Sequence, residues 1–115
     1  MSRRYVARSE TEITEVLARI DDQTADRRDR KAAVQHYLAL LAQAAPGNSV
    51  EVRVPPFGAI QCVPGVNHRR GTPPATVEMD PETWIALARG RLVWDDAVVR
   101  ASGERSDLSG WLPLG

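Results

Sequence analysis

The sequence predicts an α+β domain with two N-terminal helices and a mostly antiparallel sheet of four to five strands covered by helices. Three observations lead to this fold class. Residues 9–45 place apolar side chains at helical spacing, whereas residues 50–79 contain short runs in which apolar and polar side chains alternate. Asp80 and Pro81 then form a sharp helix start. The chain, 1–115, has the length of a single domain.

The first predicted helix follows a polar segment, residues 1–8, that we expect to be flexible. Ser9 and Glu12 have the spacing of a capping box, in which each side chain satisfies a backbone N–H at the helix start. Four apolar residues then repeat along one helix face: Ile13, Val16, Leu17 and Ile20.

The second predicted helix begins at a cap, Thr24 or Asp26, and runs through Ala45. Its first half, residues 26–31, is polar on nearly every side, so we expect it in water. Its second half, residues 37–45, is apolar on nearly every side, so we expect it in the core.

Three strands are predicted between residues 50 and 79. Val50 to Val54 alternates apolar and polar side chains, and two prolines that cannot donate to a ladder end this strand. Ala59–Val63 resumes an extended apolar run. A long loop, Pro64–Pro74, then precedes the third strand at Ala75–Met79. We expect the three strands to form an antiparallel meander with one face covered.

The C-terminal third begins with the helix at Pro81, which Gly90 ends and which we expect to cover the sheet. Asp95 is placed to start one helical turn. Val98–Ser102 reads as a fourth strand. The tail, Leu108–Leu114, is apolar enough to fold back onto the core.

The charge and composition exclude several functional classes. Fifteen basic residues balance fifteen acidic residues, so no general attraction to nucleic acid is expected. No apolar run is long enough for stable membrane insertion, and the N-terminus lacks the apolar core of a signal peptide. The expected compartment is therefore the cytoplasm. The single cysteine, Cys62, has no partner for an intrachain disulfide.

Few residues are candidates for chemistry. Cys62 is predicted to be a buried strand residue, and the alternative is a nucleophile working with His68. His36 is predicted to lie on a helix face. No catalytic motif, metal-ligand spacing or cofactor-binding loop is recognised, so we predict no catalytic residues, no metal and no cofactor.

The best polar candidate is the segment around His68, Arg69 and Arg70. Two adjacent arginines in a proline-rich loop suit bidentate binding of a carboxylate or phosphate headgroup. The alternative is a solvated loop whose arginines pair with Glu51 or Glu78.

An ordered set of short motifs runs from Val50 to Leu114: V-R-V-P-P-F-G-A-I-Q-C-V, H-R-R-G-T-P-P, E-M-D-P-E-T-W, A-x-G, A-S-G-E-R-S-D-L-S and L-P-L. Together these motifs resemble those of the small actinobacterial members of the sterol carrier protein superfamily. The order of predicted elements is similar to the α+β fold of that superfamily. It also resembles the C-terminal domain of mycothiol-dependent isomerases, which carry their metal on a separate helical domain that we do not expect here.

The resemblance implies a hydrophobic cavity between the sheet and its helices that holds a lipid, a sterol or an acyl chain. The expected function is non-catalytic binding or carriage of a hydrophobic or amphipathic small molecule. Two alternatives stay open. One is a relative without a cavity that acts as a protein-interaction or dimerisation module, with a homodimer as partner. The other is an accessory subunit of an enzyme on another chain. The predicted ligand-binding residues are Ile60, Cys62, His68, Arg69, Arg70, Val77, Trp84 and Leu87.

Overall fold

The computed structural model describes residues 5–65, 74–103 and 106–115. It is an α+β structure, which confirms the predicted class. In chain order its elements are α1 (Glu10–Asp21), α2 (Arg27–Ala44), β1 (Val50–Val54), β2 (Gly58–Cys62), β3 (Ala75–Glu78), α3 (Pro81–Ala88) and β4 (Arg100–Ser102). Two single 3-10 turns, at Trp94–Asp96 and Ser109–Trp111, flank β4, and the first of them contains Asp95, as predicted.

The four strands form one sheet in the order β2-β1-β3-β4. β1 pairs antiparallel with β2, and β3 pairs antiparallel with β4. The pairing of β1 with β3 is parallel, with Val52 opposite Val77. The sheet is therefore mostly antiparallel, as predicted, but the expected meander is wrong because β3 lies beside β1 and not beside β2. The connection between the parallel neighbours β1 and β3 spans residues 55–74 and includes β2, so it is long enough for the crossover that parallel pairing requires.

One face of the sheet is buried and the other is largely polar. Val50, Val52 and Val54 are fully buried, while Arg53 between them is exposed, so the period-two prediction for β1 is confirmed. Helix α2 packs on the buried face against β2, and α1 and α3 pack against α2. Helix α2 thus packs on the sheet at β2, and α3 lies beside α2.

The helix starts follow the predicted capping chemistry. The Ser9 hydroxyl accepts the N–H of Glu12 at 3.1 Å, and the Asp80 carboxylate accepts the N–H of Thr83 at 2.8 Å. Asp26 caps α2 in a reciprocal box with Asp29.

Asp29 departs from the expectation that the first half of α2 lies in water, because its side chain is buried. The Arg19 guanidinium of α1 donates two hydrogen bonds to it, each 2.9 Å long. These bonds lower the pKa of Asp29 and compensate for the loss of water around the carboxylate.

The N-terminal segment, which we expected to be flexible, is in contact with the domain from Tyr5 onwards. The Tyr5 hydroxyl accepts the N–H of Ala59 at 3.2 Å. Gly58 leaves room for this ring, since a Cβ at that position would lie 2.5 Å from the Tyr5 oxygen. The remaining residues of the expected flexible segment, 1–4, lie outside the described residues.

The C-terminal tail folds back onto the core, as predicted. Leu108 is fully buried, and the Leu114 N–H donates to the Ala88 carbonyl at the end of α3, at 2.8 Å. Within the parts of the chain described above, no helix combines the length and the apolar character needed to cross a membrane.

Candidate functional site

Five of the eight residues predicted to bind a ligand lie among the described residues, and all five are buried in one hydrophobic cluster. They are Ile60, Cys62, Val77, Trp84 and Leu87. The other three, His68, Arg69 and Arg70, lie outside the described residues. The assignment of these eight residues to a ligand site therefore stays a prediction.

Trp84 fixes the inner face of α3 against α2. Its ring is fully buried, and its indole N–H donates to the Val34 carbonyl at 3.2 Å. A ligand between α3 and α2 would have to displace this contact. The sequence predicts a buried Trp84 but gives no indication of its partner, which is 50 residues away in the chain.

Cys62 lies at the end of β2 with no exposed surface. Burial raises the pKa of its thiol to about 12, so almost none of it is thiolate at neutral pH. The burial and the raised pKa favour a small buried residue, as the sequence predicts, over the alternative of a nucleophile.

We therefore expect Cys62→Ala to leave ligand binding intact and to lower the free energy of unfolding by about 1 kcal/mol, as small core truncations do. Urea denaturation and thiol labelling of the native protein check this. Rapid labelling by a bulky reagent under native conditions would contradict the structural role.

The structure has an open cleft of about 420 Å³ where the end of α1, the start of α2 and α3 meet. Its apolar floor is formed by Ile20, Ala25, Ile85 and Ala86. A volume of this size lies within the range of small-molecule sites, roughly 300–1,000 Å³. Ile85 and Ala86 lie on α3, and Ile85 also belongs to the buried cluster that holds Trp84 and Leu87.

Charged side chains lie at the two ends of this apolar floor. At one end the Asp21 carboxylate binds the guanidinium groups of Arg89 and Arg91, an arrangement that we call the Asp21 clasp. Its hydrogen bonds to Arg89, with a smaller contribution from Arg91, lower the pKa of Asp21 to about 2. At the other end Arg30 and Glu82 form an ion pair 3.6 Å long.

The Asp21 clasp was not foreseen from the sequence. Asp21 and Arg89 are 68 residues apart, so no local pattern links them. The only available signal was that Arg89 and Arg91 follow the apolar face of α3 on either side of a glycine, a feature also typical of an ordinary solvated helix end.

His36 is another group that the structure places in an unexpected setting. It lies on α2, as predicted, but it is buried, and its Nδ1 accepts the backbone N–H of Arg8 at 2.8 Å. Burial, followed by the nearby Arg8 charge, lowers its pKa, while Glu12 acts in the opposite direction. The neutral imidazole thus holds the N-terminal segment.

Within residues 5–65, 74–103 and 106–115, no group of three or more His, Cys, Asp or Glu side chains is arranged to hold a metal ion. In the cleft, the carboxylates of Asp21 and Glu82 are instead paired with arginine side chains. The cleft can therefore offer apolar contact and guanidinium hydrogen bonds to a small molecule.

Comparison with known proteins agrees with the motifs and the fold. A family model described as "Bacterial SCP ortholog" matches residues 26–114, which is most of the chain and includes everything from the start of α2 to the tail. A search of curated proteins finds no significant match. The chain therefore belongs to the family of bacterial SCP orthologs, small bacterial proteins of the sterol carrier protein type.

Proposed function

We propose that the protein binds a hydrophobic or amphipathic small molecule, of the lipid or acyl-chain type, without catalysing a reaction on it. The observation that carries this proposal is the open cleft beside α3, which has an apolar floor and the volume of a small-molecule site. Membership of a sterol-carrier-like family supports the same class of function.

The cleft is a better place for the ligand than the interior site predicted from the sequence. The five interior residues are already packed together, so an interior site would require the core to open. An empty apolar void costs about 24 cal/mol per Å³, so opening roughly 300 Å³ would cost about 7 kcal/mol before any ligand bound. The cleft exists without that opening. The interior site, with Arg69 and Arg70 at its mouth, remains the second proposed location.

The test is a titration of the protein with a fluorescent fatty acid. Ala86→Phe places a large ring on the half-buried floor of the cleft, and Ala44→Phe places the same ring on the exposed end of α2 as a matched control. We expect Ala86→Phe to weaken binding at least tenfold, because the ring takes up the volume that the acyl chain would occupy. Ala44→Phe is expected to bind like the wild type.

A third variant separates the two locations. If Arg69→Ala with Arg70→Ala abolishes binding while Ala86→Phe leaves it unchanged, the ligand lies at the interior site and not in the cleft. If the wild type binds no probe at all, the carrier proposal is wrong, and the alternative of an interaction module takes its place. Native mass spectrometry of the protein from its own host would then be expected to show a dimer without retained lipid.

A further inference from the structure

The two charged ends of the cleft lie at opposite ends of α3. Glu82 is in its first turn and Arg89 follows its last residue, so at 1.5 Å per residue the ends are about 10 Å apart along the helix axis. The apolar side chains of Ile85 and Ala86 lie between them on the cleft floor. The cleft therefore has the layout of a site for an elongated molecule with a polar head.

The ends differ in their charge balance. At the Glu82 end, one carboxylate faces one guanidinium, that of Arg30. At the Asp21 clasp, two guanidinium groups share one carboxylate. Asp21 remains ionised at physiological pH, so the clasp carries one surplus positive charge.

The two arginines of the clasp are not equivalent. Arg89 donates to both Asp21 oxygens, at 2.8 and 2.9 Å, and only 12% of its side chain is exposed. Arg91 makes one short bond, 2.9 Å, and one long bond, 3.4 Å, and 57% of its side chain is exposed. Arg89 is therefore the structural partner of Asp21. Arg91 can turn to another anion without leaving Asp21 unpaired.

We propose that the cleft selects a single-chain amphipathic molecule with a carboxylate head, that Arg91 binds this head, and that the chain lies over Ile85 and Ala86. This inference rests on the proposed function and assigns its ligand class. A guanidinium hydrogen-bonds a carboxylate in a fixed planar geometry that an alcohol cannot match. An uncharged alcohol or sterol would gain only the apolar contact.

The experiment compares decanoate with decan-1-ol by isothermal titration calorimetry on the full chain at low ionic strength. The variants are Arg91→Gln, which removes the charge, and Arg91→Lys, which keeps it. Arg100→Gln is the control, since that arginine is 88% exposed on β4 and pairs with Glu78 on the sheet. Thermal melting of each variant verifies that the fold is unchanged.

We expect the wild type to prefer decanoate, and Arg91→Gln to weaken decanoate binding about tenfold while leaving decan-1-ol binding unchanged. Arg91→Lys should restore part of the preference, and Arg100→Gln should behave like the wild type. Equal affinity of the wild type for the two probes, or equal loss of both in Arg91→Gln, would overturn the assignment of Arg91 while leaving the carrier function in place. Failure of the wild type to bind either probe would instead overturn the proposed function together with this inference.

Discussion

Replacement of Trp84 by alanine is expected to lower the free energy of unfolding by about 3–5 kcal/mol, which is the typical cost of truncating a buried tryptophan. The ring is fully buried and joins α3 to α2 through its bond to Val34. Because native domains are stable by only about 5–15 kcal/mol, this loss is a large fraction of the total free energy of unfolding.

Two companion variants identify the cause of this loss. Trp84→Phe keeps most of the buried volume and removes the indole N–H, so we expect it to cost only about 1–2 kcal/mol. Trp94→Ala truncates a half-buried tryptophan in a 3-10 turn and should cost less than Trp84→Ala. Urea denaturation followed by circular dichroism measures all three. A similar loss for Trp84→Ala and Trp94→Ala would show that Trp84 is not a principal core residue.

The second large effect is expected from pH, because the hydrogen bond to His36 requires a neutral imidazole. Protonation of Nδ1 would remove the acceptor for the Arg8 N–H and place a positive charge in a buried site near the Arg8 guanidinium. The ring also packs edge-on against Tyr37, with centroids 4.9 Å apart, and the one carboxylate that favours the charged form is Glu12.

The direction of the pH effect follows from the lowered pKa of His36. Between this pKa and the unfolded value of about 6.5, the unfolded chain binds more protons than the native protein, so stability falls as the pH falls. The contribution is fully present above about pH 6.5. The loss is no steeper than about 1.4 kcal/mol per pH unit, and it levels off below the folded pKa.

Urea denaturation between pH 5 and 8 and the NMR signal of the Arg8 amide check this expectation. The control is His36→Asn, whose amide oxygen can accept the same hydrogen bond but does not titrate. We expect the variant to lose the dependence on pH in this window. An unchanged pH profile in His36→Asn would assign the effect to another group, such as His68.

The sequence alone locates features that depend on neighbours along the chain. Ser9 and Asp80 are predicted helix starts, and Asp26 is one of the two caps predicted for α2, because a capping side chain bonds an N–H two or three residues away. The alternation around Val52 likewise revealed the buried face of β1, since successive strand side chains point to opposite faces.

Features that join distant parts of the chain escaped prediction. Burial of Asp29 depends on Arg19 in another helix, and the fixed N-terminal segment depends on Tyr5 reaching the edge strand β2. The hydrogen bond of His36 depends on the backbone of that same segment. None of these pairings leaves a periodic pattern, because each is formed only when the elements pack.

The sequence by itself thus determined the α+β class, the helix starts, the buried strand face and the sterol-carrier-like family. Only the tertiary structure decided that β3 pairs parallel with β1 and that the open cleft is beside α3 and not within the packed core. The physical reason is the distance along the chain over which each kind of interaction acts. Capping and side-chain alternation act over a few residues, whereas the cleft and the Asp21 clasp arise where α1, α2 and α3 meet after long connections have closed.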